Sequence, residues 1–155
     1  MKRMKRITAG LLALGMAFAL TACGSNEEQT ATYRKEMEES GVQMVDTMTL
    51  KAKGDKVAAI SESIEVDISS FEDDMKEQLK TIYDALVEQY NSVDGATCTM
   101  DVGDDTLTLN VDVDTSGDTV DELAEQGLIQ ITGGSDLSLK ASGESLESSG
   151  YEKVE

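Results

Sequence analysis

VQMVDTMTL, residues 42–50, and VAAISESIEVDI, residues 57–68, flank Lys53-Gly54-Asp55-Lys56 and decide the architecture. Val42, Met44, Met48 and Leu50 recur on one side of the first segment. Ile60, Ile64, Val66 and Ile68 recur on one side of the second, again with the period of two that lines one face of a strand. The glycine between them supplies the positive φ of a tight turn, so the two segments predict a long antiparallel hairpin.

After Ile68 the period changes. Ser69-Ser70-Phe71-Glu72-Asp73 places an acid three residues after a serine, the pattern of a capping box. Phe71, Met75, Leu79, Ile82, Tyr83, Leu86, Val87 and Tyr90 then follow at intervals of three and four, the spacing of a helix with one wide apolar stripe. Glu77, Asp84 and Glu88 are acids, where a membrane-lying helix would carry cations, so the stripe is expected to pack on the sheet.

Downstream, Asp94-Gly95 turns the chain into a strand carrying Ala96, Cys98, Met100 and Val102, and Gly103-Asp104-Asp105 is a second hairpin turn. Leu107, Leu109, Val111 and Val113 alternate with Thr106, Thr108, Asn110 and Asp112, a half-buried strand with a wet outer face. A short helix is expected from Asp118 to Gln126, ended by Gly127, then a strand over Leu128–Ile131 broken by Gly133-Gly134. A last short helix spans Ser142–Ser149, with Tyr151 and Val154 closing the core. Upstream, Tyr33–Met37 reads as a short first strand. The fold class is α+β: an antiparallel sheet of hairpins and meander with one long and two short helices packed on one face.

The N-terminus fixes location. Lys2, Arg3, Lys5 and Arg6 precede an uncharged apolar run, Ile7 to Leu20, and then Leu20-Thr21-Ala22-Cys23. This order is a secretory signal peptide of the bacterial lipoprotein kind, with Leu20, Thr21 and Ala22 read by the signal peptidase and Cys23 the lipidated residue. Two acyl chains anchor far more firmly than one. Residues 1–22 are therefore the leader, 23–32 the lipidated cysteine with a polar tether, and 33–155 a single globular domain. The expected location is the extracytoplasmic face of the cell membrane.

Without the leader, 9 Lys and Arg face 31 Asp and Glu, a formal charge of −22. Such a chain is repelled by nucleic acid and by anionic lipid, and attracts cations. With no histidine, Ser-His-Asp and Cys-His catalysis are excluded. Cys98 is left as one thiol without a partner cysteine, and its place in an alternating run makes it a core residue.

The leader, the Gly54-Asp55-Lys56-Val57 turn, the helix ending Tyr90-Asn91, the Val93-Asp94-Gly95 turn, the acidic strand Leu107–Asp114 and the C-terminal run from Leu146 to Val154 together cover most of the mature chain. They resemble the YehR-like bacterial lipoproteins, which carry domain of unknown function 1307. The resemblance implies a small secreted α+β domain held by an N-terminal lipid. It implies no activity, ligand or catalytic residue.

Asp112-Val113-Asp114-Thr115-Ser116-Gly117-Asp118 opens like a calcium loop, making Asp112, Asp114 and Asp118 the candidate metal ligands. The twelfth position is Leu123 rather than glutamate, and a strand precedes the loop, so only weak surface binding of Ca2+ is expected. Asp101, Asp104 and Asp105 form a second acidic group, suited to a solvated turn more than to acid–base chemistry. Lys140 among the serines of 135–149 invites a Ser–Lys dyad, but Ser138-Leu139-Lys140 lacks the needed spacing. The expectation is thus a membrane-anchored binding or accessory module without catalytic residues or a resident cofactor, held to the membrane by lipid and facing an envelope protein partner. The alternative is an acidic cation-binding surface protein.

Overall fold

The computed structural model describes residues 17–19, 27–132 and 137–154. Leu20 to Cys23, the start of the tether, Gly133-Gly134 and Ser135 lie outside them. The elements are β1 (Ala17–Ala19), β2 (Glu28–Glu39), β3 (Val42–Lys53), β4 (Lys56–Asp67), α1 (Asp73–Asn91), β5 (Ala96–Val102), β6 (Thr106–Asp114), α2 (Thr119–Glu125), β7 (Gln130–Thr132), α3 (Leu139–Ser148) and β8 (Glu152–Lys153). Six of the strands form one antiparallel sheet in the order β5-β6-β4-β3-β2-β8. The backbone of β1, inside the leader, runs parallel to β7 as a separate pair.

The β3–β4 hairpin forms as its alternation predicts, with Lys53 paired to Lys56 and Gly54 at φ 61°. A register shift at Lys51/Ala52 lets Val57 and Ile60 both face inward although their spacing is odd. β6 takes the inner place beside β4 and β5 the outer edge, so the sheet is not a plain meander. All four of its alternating apolar residues are buried, which suits an interior strand. At the β5 edge the Asn91 side chain donates to the Cys98 carbonyl (2.9 Å) and accepts from its N–H (2.8 Å), standing in for a neighbouring strand.

Five expectations are corrected. The first strand is twelve residues long and begins at Glu28, inside the stretch read as tether. Its polar sequence hides it, but pairing runs unbroken from Glu28–Lys53 to Glu39–Val42 around a turn in which Ser40 and Gly41 both have positive φ (56° and 83°). No capping box forms: α1 starts after Glu72, whose side chain makes no cap, because Ser69 is taken by the Asp67 carboxylate through its N–H (2.9 Å) and hydroxyl (2.6 Å). The α1 stripe is buried only toward its C-terminus, at Tyr83, Leu86 and Tyr90, whereas Ile82 is 43% exposed. Val154 does not close the core; it is 51% exposed, and only Tyr151 packs against it. α3 also starts earlier than Ser142, since Ser138 caps it by accepting from the Ala141 N–H (3.1 Å).

One cluster joins the inner face of the sheet to all three helices, with Tyr90, Met48, Leu50, Ile60, Leu109 and Leu123 among its fully buried side chains. α3 lies against β2 at Gly143, where an added Cβ would fall 2.2 Å from the Tyr33 hydroxyl oxygen. Gly143→Ala should therefore cost about 1–3 kcal/mol by overpacking, outweighing the roughly 1 kcal/mol of helix propensity it gains. Adding Tyr33→Phe should recover part of that loss in urea unfolding. A neutral or stabilising Gly143→Ala would contradict this packing.

Candidate functional site

The inner face of the sheet is apolar except along one diagonal. Lys35 on β2 stands directly opposite Asp46 on β3, and Glu62 on β4 stands opposite Met48, one diagonal step from Asp46. Strand alternation forces these side chains inward, because their neighbours two residues away (Tyr33, Met44, Met48, Ile60, Ile64) all belong to the core. Asp46 is 2% exposed and Glu62 3%.

The Tyr151 hydroxyl, arriving from the turn after α3, donates to Asp46 Oδ2 at 2.5 Å. Lys35 Nζ lies 5.5 Å from the centre of the Tyr151 ring and donates to the Ser149 carbonyl at 2.7 Å. Asp46 Oδ1 and both carboxyl oxygens of Glu62 meet no N–H or O–H donor. The two carboxyls interact, and a proton carried by Glu62 would bridge one of its oxygens to Asp46 Oδ1. Burial pushes Glu62 well above the usual carboxylate range, and the Asp46 charge pushes it further. Burial also raises Asp46, against the pull of the Tyr151 and Glu62 hydrogen bonds and of Lys35. Around them, burial and then the bond to Asp46 push the Tyr151 phenol far up, and burial followed by Glu62 raises Tyr90. The Cys98 thiol is pushed up to about 11 by burial and then by Glu62, so it is a core thiol, as its alternation predicts.

What this arrangement can do chemically is hold a proton. Paired carboxyls with displaced ionisation recur as catalytic acids and bases. Here both lie beneath side chains, closed to a reacting atom. Three oxygens without donors also fall short of the six to eight that a calcium ion takes. Among the described residues no group of three or more acids, cysteines or histidines converges as a metal site.

The residues singled out in sequence are placed elsewhere. Asp112 accepts from the Ser61 hydroxyl (2.6 Å) on the outer face, and Asp114 accepts from the Ser116 N–H (2.8 Å) in its own turn. The Ser116 side chain and backbone hold the Asp114 carboxyl below its ordinary value. Asp118 precedes α2 without a side-chain bond. The three do not converge, because two alternate outward along a strand and the third lies past a turn. Asp101, Asp104 and Asp105 are exposed around the β5–β6 turn. The Ser138 hydroxyl is committed to Asp55 Oδ2 (2.5 Å), and Lys140 is exposed with its N–H on Asp55 Oδ1 (2.9 Å), so no Ser–Lys dyad exists there. Sequence reasoning treated Asp55 only as a turn residue; it seats the start of α3 on the β3–β4 hairpin.

A half-open groove of about 290 Å³ lies between β2 and α3. Gln29, Ala31 and Tyr33 line it from β2, and Leu139, Lys140, Gly143, Glu144 and Glu147 from α3, with Asp55 and Lys153 at its margins. Burial and then Glu147 raise the Tyr33 phenol.

A carboxyl held above its ordinary value binds its proton more tightly folded than unfolded. Its contribution is complete below the unfolded value, about 4.3 for glutamate, and is lost as pH rises through the raised folded value. Glu62→Gln should therefore flatten a decline of up to about 1.4 kcal/mol per pH unit above about pH 5 in urea-unfolding stability. Glu65→Gln on the outer face should leave it. Equal slopes in all three proteins would refute the shared proton.

The family described as protein of unknown function (DUF1307) matches residues 29–152. An uncharacterized lipoprotein of Listeria monocytogenes, Lmo0207, is 29% identical over 161 residues and covers 99% of both chains. The NMR structure of the Escherichia coli protein YehR superposes with a TM-score of 0.56 at 16% identity, over 82% of this chain and 92% of that one. An NMR structure of a protein from Streptococcus pneumoniae TIGR4 gives 0.51 at 11% identity, over 88% and 90%. At these identities the two structures share the fold and nothing finer. The match across the whole folded domain places this chain in the DUF1307 family.

Proposed function

We propose that the chain is a lipid-anchored, extracytoplasmic module that binds a partner close to the membrane and catalyses nothing itself. The observation that carries this reading is the position of the β2–α3 groove relative to Cys23. Gln29, which lines the groove, is only six residues beyond that cysteine. A fully extended chain of that length reaches about 20 Å, so a lipid on Cys23 holds the groove near the membrane surface. The relative from Listeria, itself named a lipoprotein and matched over 99% of its length, supports the anchor.

The charge of the mature chain fits the same picture. At −22 the domain is pushed off anionic lipid within a Debye length of about 8 Å at physiological salt, while the lipid keeps it tethered. The groove breaks this uniform sign, bringing Lys140 and Lys153 beside Glu144 and Glu147. A mixed-charge rim around a tyrosine suits a polar partner surface carrying both signs.

The wild-type protein expressed in a bacterium should partition into detergent with a diacylglyceryl mass on Cys23, and Cys23→Ser should keep its leader and remain unacylated. A photo-crosslinking residue at position 140 should give saturable envelope adducts that one at position 65 on the outer face does not. Unacylated protein with a different N-terminus would overturn the anchor. Equal adducts from both positions, or none, would overturn the binding reading.

A further inference from the structure

We propose that Asp46, Glu62 and Tyr151 form a proton-operated latch: one proton shared by the two carboxyls keeps residues 149–154 strapped across the edge of the sheet, and its loss releases them.

The strap has few other ties. β8 is two residues long, both exposed, and pairs only with Tyr33 and Arg34 of the twelve-residue β2. Beyond it, the Val154 N–H donates to the Thr32 carbonyl (2.8 Å). At its head the Gly150 and Tyr151 N–H groups donate to the Glu147 and Leu146 carbonyls of α3 (3.0 Å each), and the side-chain ties converge on the carboxyl pair. Tyr151 donates to Asp46, its ring lies under Lys35, and Lys35 donates to Ser149 at the head of the strap.

The charge count at this point is narrow. From β2 the group facing the pair is Lys35; from β3 and β4 come Asp46 and Glu62 themselves; from α1 and β5 come Tyr90 and Cys98, both neutral. From the strap comes Tyr151, also neutral. Ser142 of α3, fully buried with no partner for its hydroxyl, carries no charge. With one proton on the pair, the lysine balances a single carboxylate. Without it, two carboxylates share one cation in a buried site, and neighbouring like charges out of water are unfavourable. Water must then enter, and the strap, whose β-pairing to the sheet spans only two residues, is the cover that can lift. Its opening uncovers Tyr33 and Arg34 on the β2 edge, which are free to pair with another strand.

Amide exchange of the acylated full-length protein in detergent micelles tests this between about pH 5 and about pH 9, read as protection factors so that the intrinsic pH dependence of exchange is removed. Protection at 151–154 should fall at least about tenfold as the pH rises, while the centre of β3 and β4 holds. Glu62→Gln should keep the strap protected throughout, and Tyr151→Phe should leave it weakly protected throughout. Should Glu62→Gln fail to fold, Asp46→Asn also removes one charge and should likewise abolish the pH dependence. A wild-type strap whose protection does not change with pH, or one whose change survives in Glu62→Gln or Asp46→Asn, overturns the latch.

Discussion

Five strands present an apolar inner face that Lys35, Asp46 and Glu62 interrupt along one diagonal, and the way the helices close the core has to accommodate that line. A buried carboxyl without a donor is costly, and two of them side by side are worse unless a proton joins them. The fold meets the constraint by turning the C-terminus back after α3, so that Tyr151 reaches Asp46 and Lys35 reaches Ser149. Gly150, at φ 92°, permits that return. Gly143 has a related part, since only a residue without Cβ lets α3 settle over the Tyr33 hydroxyl.

The periodic parts of the chain were legible because one physical pattern dominates each. The hairpin 42–68, the β6 strand and the α1 helix all follow from spacing alone. The polar diagonal was legible too, in a form easily passed over. Val42, Met44, Met48 and Leu50 skip position 46, and Ile60 and Ile64 skip position 62, so each alternation has a charged residue standing on its inward side. Two such gaps on the paired arms of one hairpin are a signal of a buried polar site. Tyr151 gave no such sign, because its partner is more than a hundred residues away. β2 was hidden by Lys and Glu at inward and outward positions alike, and its strand state comes from pairing with β3 rather than from its own sequence. The acidic loop after Asp112 misled for the opposite reason: its residue types match a calcium loop, but a strand sends its first two acids outward instead of around a cation.

Fold and charge together describe how such a domain sits in its setting. In the proposed setting the negative surface keeps the domain off the lipid while the short N-terminal connection keeps it near; the β2–α3 groove and residues 149–154 both lie on the β2 side of the sheet. β2, the described strand that follows the proposed lipid site at Cys23, thus also carries the groove and the sheet edge that residues 149–154 cover. A change in protonation at Glu62 would be felt there, rather than at the distant β5 edge, where Asn91 holds the strand by two hydrogen bonds.

On this reading Asp46 and Glu62 hold one proton between them in the folded protein. Carbon NMR of the side-chain carboxyls, titrated from about pH 3 to about pH 9, addresses it directly. One proton of this pair should be retained well past the range in which ordinary carboxyls ionise, with the Asp46 and Glu62 signals moving together because they belong to one coupled site. Two carboxyls that ionise independently with the surface acids would contradict it.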